Sequence, residues 1–208
     1  MLTLTRRPGE RIVIGDGIEV EVLSVQGGRA RLGIRADRST PVVRGELLDR
    51  VLGQNLEAST EAQGPPTWRP PANLPTVRVD GGLYGMPDLE EWVVCELADA
   101  VEGARFPLRL FVAVKRPTIR LLLADLLTIR PDYPIDQAAR AAGVNRSRAV
   151  LAGVVTAPAE GPCTINLAAP IVIDLAVRRG RQVILSDGSL GVDAPFEAAQ
   201  APPVEAHP

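Results

Sequence analysis

The chain has 208 residues, 46% of them hydrophobic and 23% charged, with a formal net charge of −2. This is the make-up of one medium or two small globular domains, and it excludes a basic nucleic-acid tail or an acidic disordered chain. Aromatic residues are only 3% while Gly and Pro number 19 each, which excludes an aromatic base-stacking platform and predicts a turn-rich, mainly β protein.

The first elements are short strands. Leu2 and Leu4 alternate with Thr3 and Thr5, a period-two pattern. Ile12–Ile14 forms a second strand, closed by the turn Gly15-Asp16-Gly17. Ile18, Val20 and Val22 alternate with Glu19 and Glu21, the mark of a half-buried strand. Gly27-Gly28 makes a hairpin turn into the alternating run Arg29–Arg35. Pro41–Arg44 reads as one more strand, and Gly45–Leu56 carries Leu47, Leu48, Val51 and Leu52 at helical spacing. A domain of this size buries too little surface to stand comfortably alone, and an intertwined dimer would remedy that.

From Ser59 to Pro75 the composition changes to paired prolines without periodicity, which predicts an extended linker. The expected division is therefore a first domain over 1–58, a linker over 59–75, a second domain over 76–193 and a disordered tail over 194–208. Trp92–Leu97, Leu108–Val114, Thr118–Asp125, Val150–Thr156, Thr164–Leu167, Ile171–Leu175 and Gln182–Leu185 read as strands of the second domain. Gln137–Ala142 and Arg146–Arg148 make a short helical excursion around Gly143. Many short strands with Gly and Pro punctuation predict a barrel or sandwich.

Catalysis finds little to build on. The two cysteines, Cys95 and Cys163, lie far apart, and His207 is the single histidine. No metal site, cofactor or enzyme activity is expected, and Asn166 and Asp174 are read as turn and ladder residues. The N-terminus has no apolar signal region and no segment has the length of a membrane span, so a cytoplasmic protein without membrane contact is expected.

Met1-Leu2-Thr3-Leu4-Thr5-Arg6-Arg7-Pro8-Gly9-Glu10, Ile14-Gly15-Asp16 and Val42-Val43-Arg44-Gly45-Glu46 resemble the carbon storage regulator family, CsrA, without a gap from Met1 to about Val51. The resemblance implies a homodimer of swapped strands that binds GGA-containing mRNA loops and represses translation or alters mRNA stability. Carried over by motif position, Leu4, Arg6, Arg7, Val42, Val43 and Arg44 are the expected RNA-binding residues. Leu4 would pack on a base and Arg44 would hold base and phosphate oxygens. Arg31, Arg35 and Arg38 are further sources of phosphate contacts.

Gly82-Leu83-Tyr84-Gly85-Met86-Pro87-Asp88-Leu89, Pro131-Asp132-Tyr133, Asn166-Leu167-Ala168-Ala169-Pro170-Ile171-Val172-Ile173-Asp174 and Arg179-Gly180-Arg181-Gln182-Val183 resemble FliW, the flagellar assembly factor, over about Val79–Leu185. That resemblance implies a β-barrel-like protein that antagonises CsrA and alternatively binds flagellin. The Pro-rich linker stands where the family has its first strand, so an open sheet edge is expected, covered by the first domain or the linker. Together these readings predict an mRNA-binding regulator tethered to its own antagonist, by contact within one chain or across the dimer. The alternative is a flagellin-binding assembly factor whose first domain only dimerises.

Overall fold

A computed structural model describes residues 2–37, 40, 42–61, 73–96, 108–158 and 160–196. It divides into two units, one on each side of the Val42–Val43 bond.

The first unit is a three-stranded antiparallel sheet: β1 (Arg11–Ile14), β2 (Ile18–Gln26) and β3 (Arg29–Arg35), in that order. β2 carries a register shift between Val22 and Ser24. None of the described residues from 2 to 42 is buried. Val13, Ile14, Val25, Leu32 and Ile34 are all exposed, and the three-stranded sheet has no second layer within its own unit. Leu2–Thr5 and Val42–Arg44, both expected as strands, join no ladder within the single chain. Arg7-Pro8-Gly9-Glu10 is a tight turn in which Gly9 has φ +86° and Glu10 N–H donates to the Arg7 carbonyl. Pro at the second and Gly at the third position suit that turn, so the Arg-Pro-Gly-Glu motif is legible as geometry.

The second unit starts with helix α1 (Gly45–Glu61), five residues longer than its periodicity predicts. Strands β4 (Thr76–Val79), β5 (Glu91–Glu96), β6 (Leu108–Ala113), β7 (Arg120–Asp125), β8 (Ala149–Thr156), β10 (Ile171–Asp174) and β11 (Arg179–Gln182) follow. They form a closed seven-stranded ring, β10-β11-β4-β5-β6-β7-β8, sealed by the antiparallel β8–β10 pair. Two short strands, β9 (Thr164–Ile165) and β12 (Ala194–Pro195), extend from β8. Two helices, α2 (Leu126–Ile129) and α3 (Ile135–Ala142), and a 3-10 turn (Arg146–Arg148) lie between β7 and β8.

Alternate residues explain how the ring is filled. Val77, Trp92, Phe111, Leu121, Leu123, Ala152, Val154, Ile171 and Ile173 share one cluster, the enclosed side. Ala124, Leu151, Val155 and Val172 point the other way and cluster with Leu47 and Val51 of α1 and Ala138 of α3. At Gly180 a side chain is impossible: a Cβ would lie 2.2 Å from the Val172 carbonyl oxygen.

Several expectations shift. β4 sits directly behind the Pro-rich stretch and was not foreseen; it is flanked on both sides, by β5 and by β11, so the expected open edge does not exist there. The last expected strand, Gln182–Leu185, falls earlier, at Arg179–Gln182, because exposed arginines alternate with buried Gly180 and Gln182. Ala194 and Pro195, expected in the tail, pair with β9, and Phe196 N–H donates to the Cys163 carbonyl. Residues 62–72 of the expected linker and 197–208 of the expected tail lie outside the described residues. No helix among the described residues is long and apolar enough to cross a membrane.

Candidate functional site

In the first unit Leu4 is 43% exposed and Val42 47% exposed. Arg6 and Arg7 are exposed. Among the described residues the Arg6 guanidinium donates to the neighbouring Thr5 carbonyl, and the Arg7 backbone N–H donates to the Glu10 carboxylate at 2.8 Å. Glu10 thereby fixes the turn that follows the two arginines. Glu19 accepts from Arg11 at 2.7 Å and from Arg35 at 2.8 Å. Those guanidinium groups, Arg11 first, hold the Glu19 carboxyl below the usual range. Arg35 therefore shares its charge with Glu19 while its side chain stays 79% exposed. Arg38 lies outside the described residues.

Val43 and Arg44 belong to the second unit. Val43 is partly buried against the cluster that contains Leu47 and Val51. Arg44 is exposed, and its carbonyl accepts from Leu47 N–H and Leu48 N–H at 3.1 Å each, which starts α1.

From there α1 is held by the barrel. Its buried residues are Leu47, Val51, Gln54, Asn55, Ala58 and Ser59, a stripe at helical spacing. Burying Leu47 and Val51 contributes roughly 1.5–3 kcal/mol each. Asn55 sits in the middle of this stripe, with no exposed surface. Its Nδ2 donates to the Gln182 Oε1 at 2.9 Å and to the Tyr84 carbonyl at 2.9 Å. Gln182 Oε1 also accepts from Tyr84 N–H at 3.0 Å, and Gln182 Nε2 donates to the Ala169 carbonyl at 3.1 Å. Leu56 lies over Gly85.

Sequence reasoning missed Asn55 and Gln182 as a pair. The available signal was weak: a polar residue on the apolar stripe of a helix and a Gln in a charged strand. Asn166 does what was expected of it, its Oδ1 capping Ala169 N–H at 2.9 Å. Asp174 caps Ala176 N–H and pairs with Arg148. Among the described residues no group of three His, Cys, Asp or Glu could hold a metal ion.

Comparison with known proteins places both halves. Residues 1–52 match CsrA, described as a global regulator protein family, and residues 62–196 match the FliW protein family. The translational regulator CsrA of Syntrophomonas wolfei is 41% identical over 66 residues, which cover 32% of this chain and 87% of that protein. The CsrA proteins of Desulfitobacterium hafniense strain Y51 and Thermotoga petrophila are 49% and 44% identical over 59 residues, 28% of this chain and 77% and 71% of theirs. Among solved structures, the flagellar assembly factor FliW is similar at 25% identity and a TM-score of 0.48, covering 58% of this chain and 84% of that one. The chain belongs to the FliW family over residues 62–196 and to the CsrA family over residues 1–52, two families joined in one polypeptide.

Proposed function

We propose that this protein is a post-transcriptional regulator, not an enzyme, that binds GGA-containing mRNA loops as a homodimer and whose barrel restrains that binding by holding α1 of its own chain. The observation that carries the proposal is the burial of Val51 and Asn55 in the barrel unit, with Asn55 bonded to Gln182. Residues 45–52 of α1 lie within the CsrA match, so the barrel grips the end of the RNA-binding module itself. Val43 is packed in the same cluster, which fixes the backbone on which Arg44 is carried. The functional parts we assign are 1–58 for RNA binding, 59–75 as the tether and 76–193 as the antagonist.

Leu4, Arg6, Arg7, Val42, Val43 and Arg44 are the RNA contacts in this reading. The exposure of Leu4, Arg6 and Arg44 supports it over a first domain that only dimerises. The unburied apolar residues of the three-stranded sheet support a second copy, with Leu2–Thr5 as a strand donated between copies. A tether places barrel and helix at an effective concentration of roughly millimolar, so docking within the chain outcompetes docking between molecules. Family membership supports flagellin as a protein ligand of the barrel unit, and its binding would release α1.

The test is binding of a GGA hairpin and of the same hairpin with GGA replaced. The reading expects a dimer that prefers GGA, and an Arg44→Ala chain about tenfold weaker. Equal binding of both hairpins, or an unaffected Arg44→Ala chain, refutes it.

A further inference from the structure

Helix α1 is gripped unevenly. Asn55 is bonded at both ends of its amide, whereas Gln54 beside it is bonded at neither. Gln54 is 7% exposed, and its Oε1 and Nε2 are both closed to solvent without a hydrogen-bond partner. Exchanging the two ends of that amide changes nothing, because neither end has a partner. Thr156, at the end of β8, is 5% exposed, and its Oγ1 is likewise closed off and unpartnered. Gln54 and Thr156 line one cavity of about 390 Å³ between α1 and the barrel, together with Arg50 and Gly53 of the helix.

The shortfall is concentrated here. Among the described residues four buried side-chain polar atoms lack a partner, and these are three of them; the fourth is Asn166 Nδ2. A polar atom buried in this way loses its bonds to water and gains none in return. Gln54 regains them when α1 leaves the barrel, so docking carries a cost that the apolar contacts of Leu47 and Val51 must exceed. The Arg50–Asp193 ion pair at 2.7 Å is exposed on both sides and offsets little of it.

Gly53 is an independent observation. It lies inside α1, its φ is not positive, and a Cβ there would meet nothing within 4 Å. Neither a turn nor a close approach calls for glycine, yet glycine weakens a helix interior. The helix is thus weakened at two adjacent residues, once in its backbone and once in its docking.

The tether gives this weakness a use. At a local concentration of roughly millimolar, a nanomolar contact would be docked on the order of a million to one. A competing partner reverses such a ratio only with a differential affinity of the same size. We propose that Gln54 and Thr156 set the strength of the latch: left unbonded in the docked state, they keep α1 docking within reach of a competitor. The inference rests on the reading that docked α1 restrains RNA binding, and it adds which residues decide how firmly.

The test compares the full-length wild type with Gln54→Met and Thr156→Val, changes of similar shape that remove the unbonded atoms. The urea midpoint reads the cost of those atoms whether or not RNA binds, and the dissociation constant for a GGA hairpin reads the restraint. Gln54→Met should raise the midpoint and weaken hairpin binding roughly tenfold, and Thr156→Val should act in the same direction by less. A midpoint that neither variant raises overturns the inference, because the atoms are then satisfied in solution by water. That result leaves the restraint itself standing, since Asn55→Ala tests it separately. A raised midpoint with unchanged hairpin affinity overturns the inference through failure of the restraint on which it rests.

Discussion

Asn55 Nδ2 donates to Gln182 Oε1 at 2.9 Å across 127 residues of sequence, a buried amide pair between helix α1, whose residues 45–52 lie within the CsrA match, and a strand of the FliW match. The two partners are not equivalent. Gln182 keeps Tyr84 N–H and the Ala169 carbonyl when Asn55 leaves, although its Nε2 gives up a second bond, to Asn55 Oδ1 at 3.4 Å. Asn55 has no such reserve inside the barrel unit and regains its bonds from water on release. The docked helix is thereby bonded specifically, and its departure leaves the Tyr84 carbonyl and one Gln182 Nε2–H to find new partners.

Substitutions at the two ends should therefore differ. Gln182→Ala strips partners from the partly buried Tyr84 N–H and from the Ala169 carbonyl, and should cost the barrel about 1–3 kcal/mol in urea unfolding. Asn55→Ala should cost the barrel clearly less, because the strand network survives it. Equal losses would show that the amide pair is a structural cross-link and not a releasable latch.

Asp80 ties the end of β4 to β11 through Arg179 at 2.8 Å and also pairs with Arg78 of β4 at 3.4 Å. The Arg179 hydrogen bond, above all, holds the Asp80 carboxyl below its ordinary 3.8. A depressed carboxylate contributes stability above the unfolded pKa and loses it as pH falls through the folded one. The stability difference between wild type and Asp80→Asn should be present at pH 7, under about 1 kcal/mol because the pair is solvent-screened. It should shrink below about pH 4. Urea midpoints measured down the pH range check this, and a difference that grows with acid contradicts it.

Glu19 withholds two cations from the surface of the first unit. Glu19→Gln should release Arg11 and Arg35, tighten RNA binding at low salt and steepen the dependence of log K on log salt. An unchanged slope would mean that neither arginine lies near the RNA backbone.

These residues also show what the sequence made legible. The hairpins at Gly15–Gly17 and Gly27-Gly28 follow from local backbone chemistry, and they were readable. The periodicity of Leu47, Val51 and their neighbours announced a helix with an apolar stripe, but a stripe does not name its partner. That choice is made by Gln182, far along the chain, in a strand whose exposed arginines disguised it. β4 was hidden for a similar reason: four residues, only two of them buried, directly after a run of prolines. The absent ladder at Leu2–Thr5 has another cause. On the proposed strand exchange between copies, Leu2–Thr5 would leave its period-two pattern in the sequence but no pairing in one chain.

The central claim, that the barrel restrains RNA binding by holding α1, is tested most directly with Asn55→Ala in the full-length chain. This variant alters none of the proposed RNA contacts and leaves Gln182 its bonds to Tyr84 N–H and the Ala169 carbonyl. The measurement is the dissociation constant for a GGA hairpin, wild type against variant, at one salt concentration. Loss of a buried amide pair shifts docking by about tenfold or more, and the account predicts RNA binding tighter by a comparable factor. Equal affinities for the two chains would contradict it.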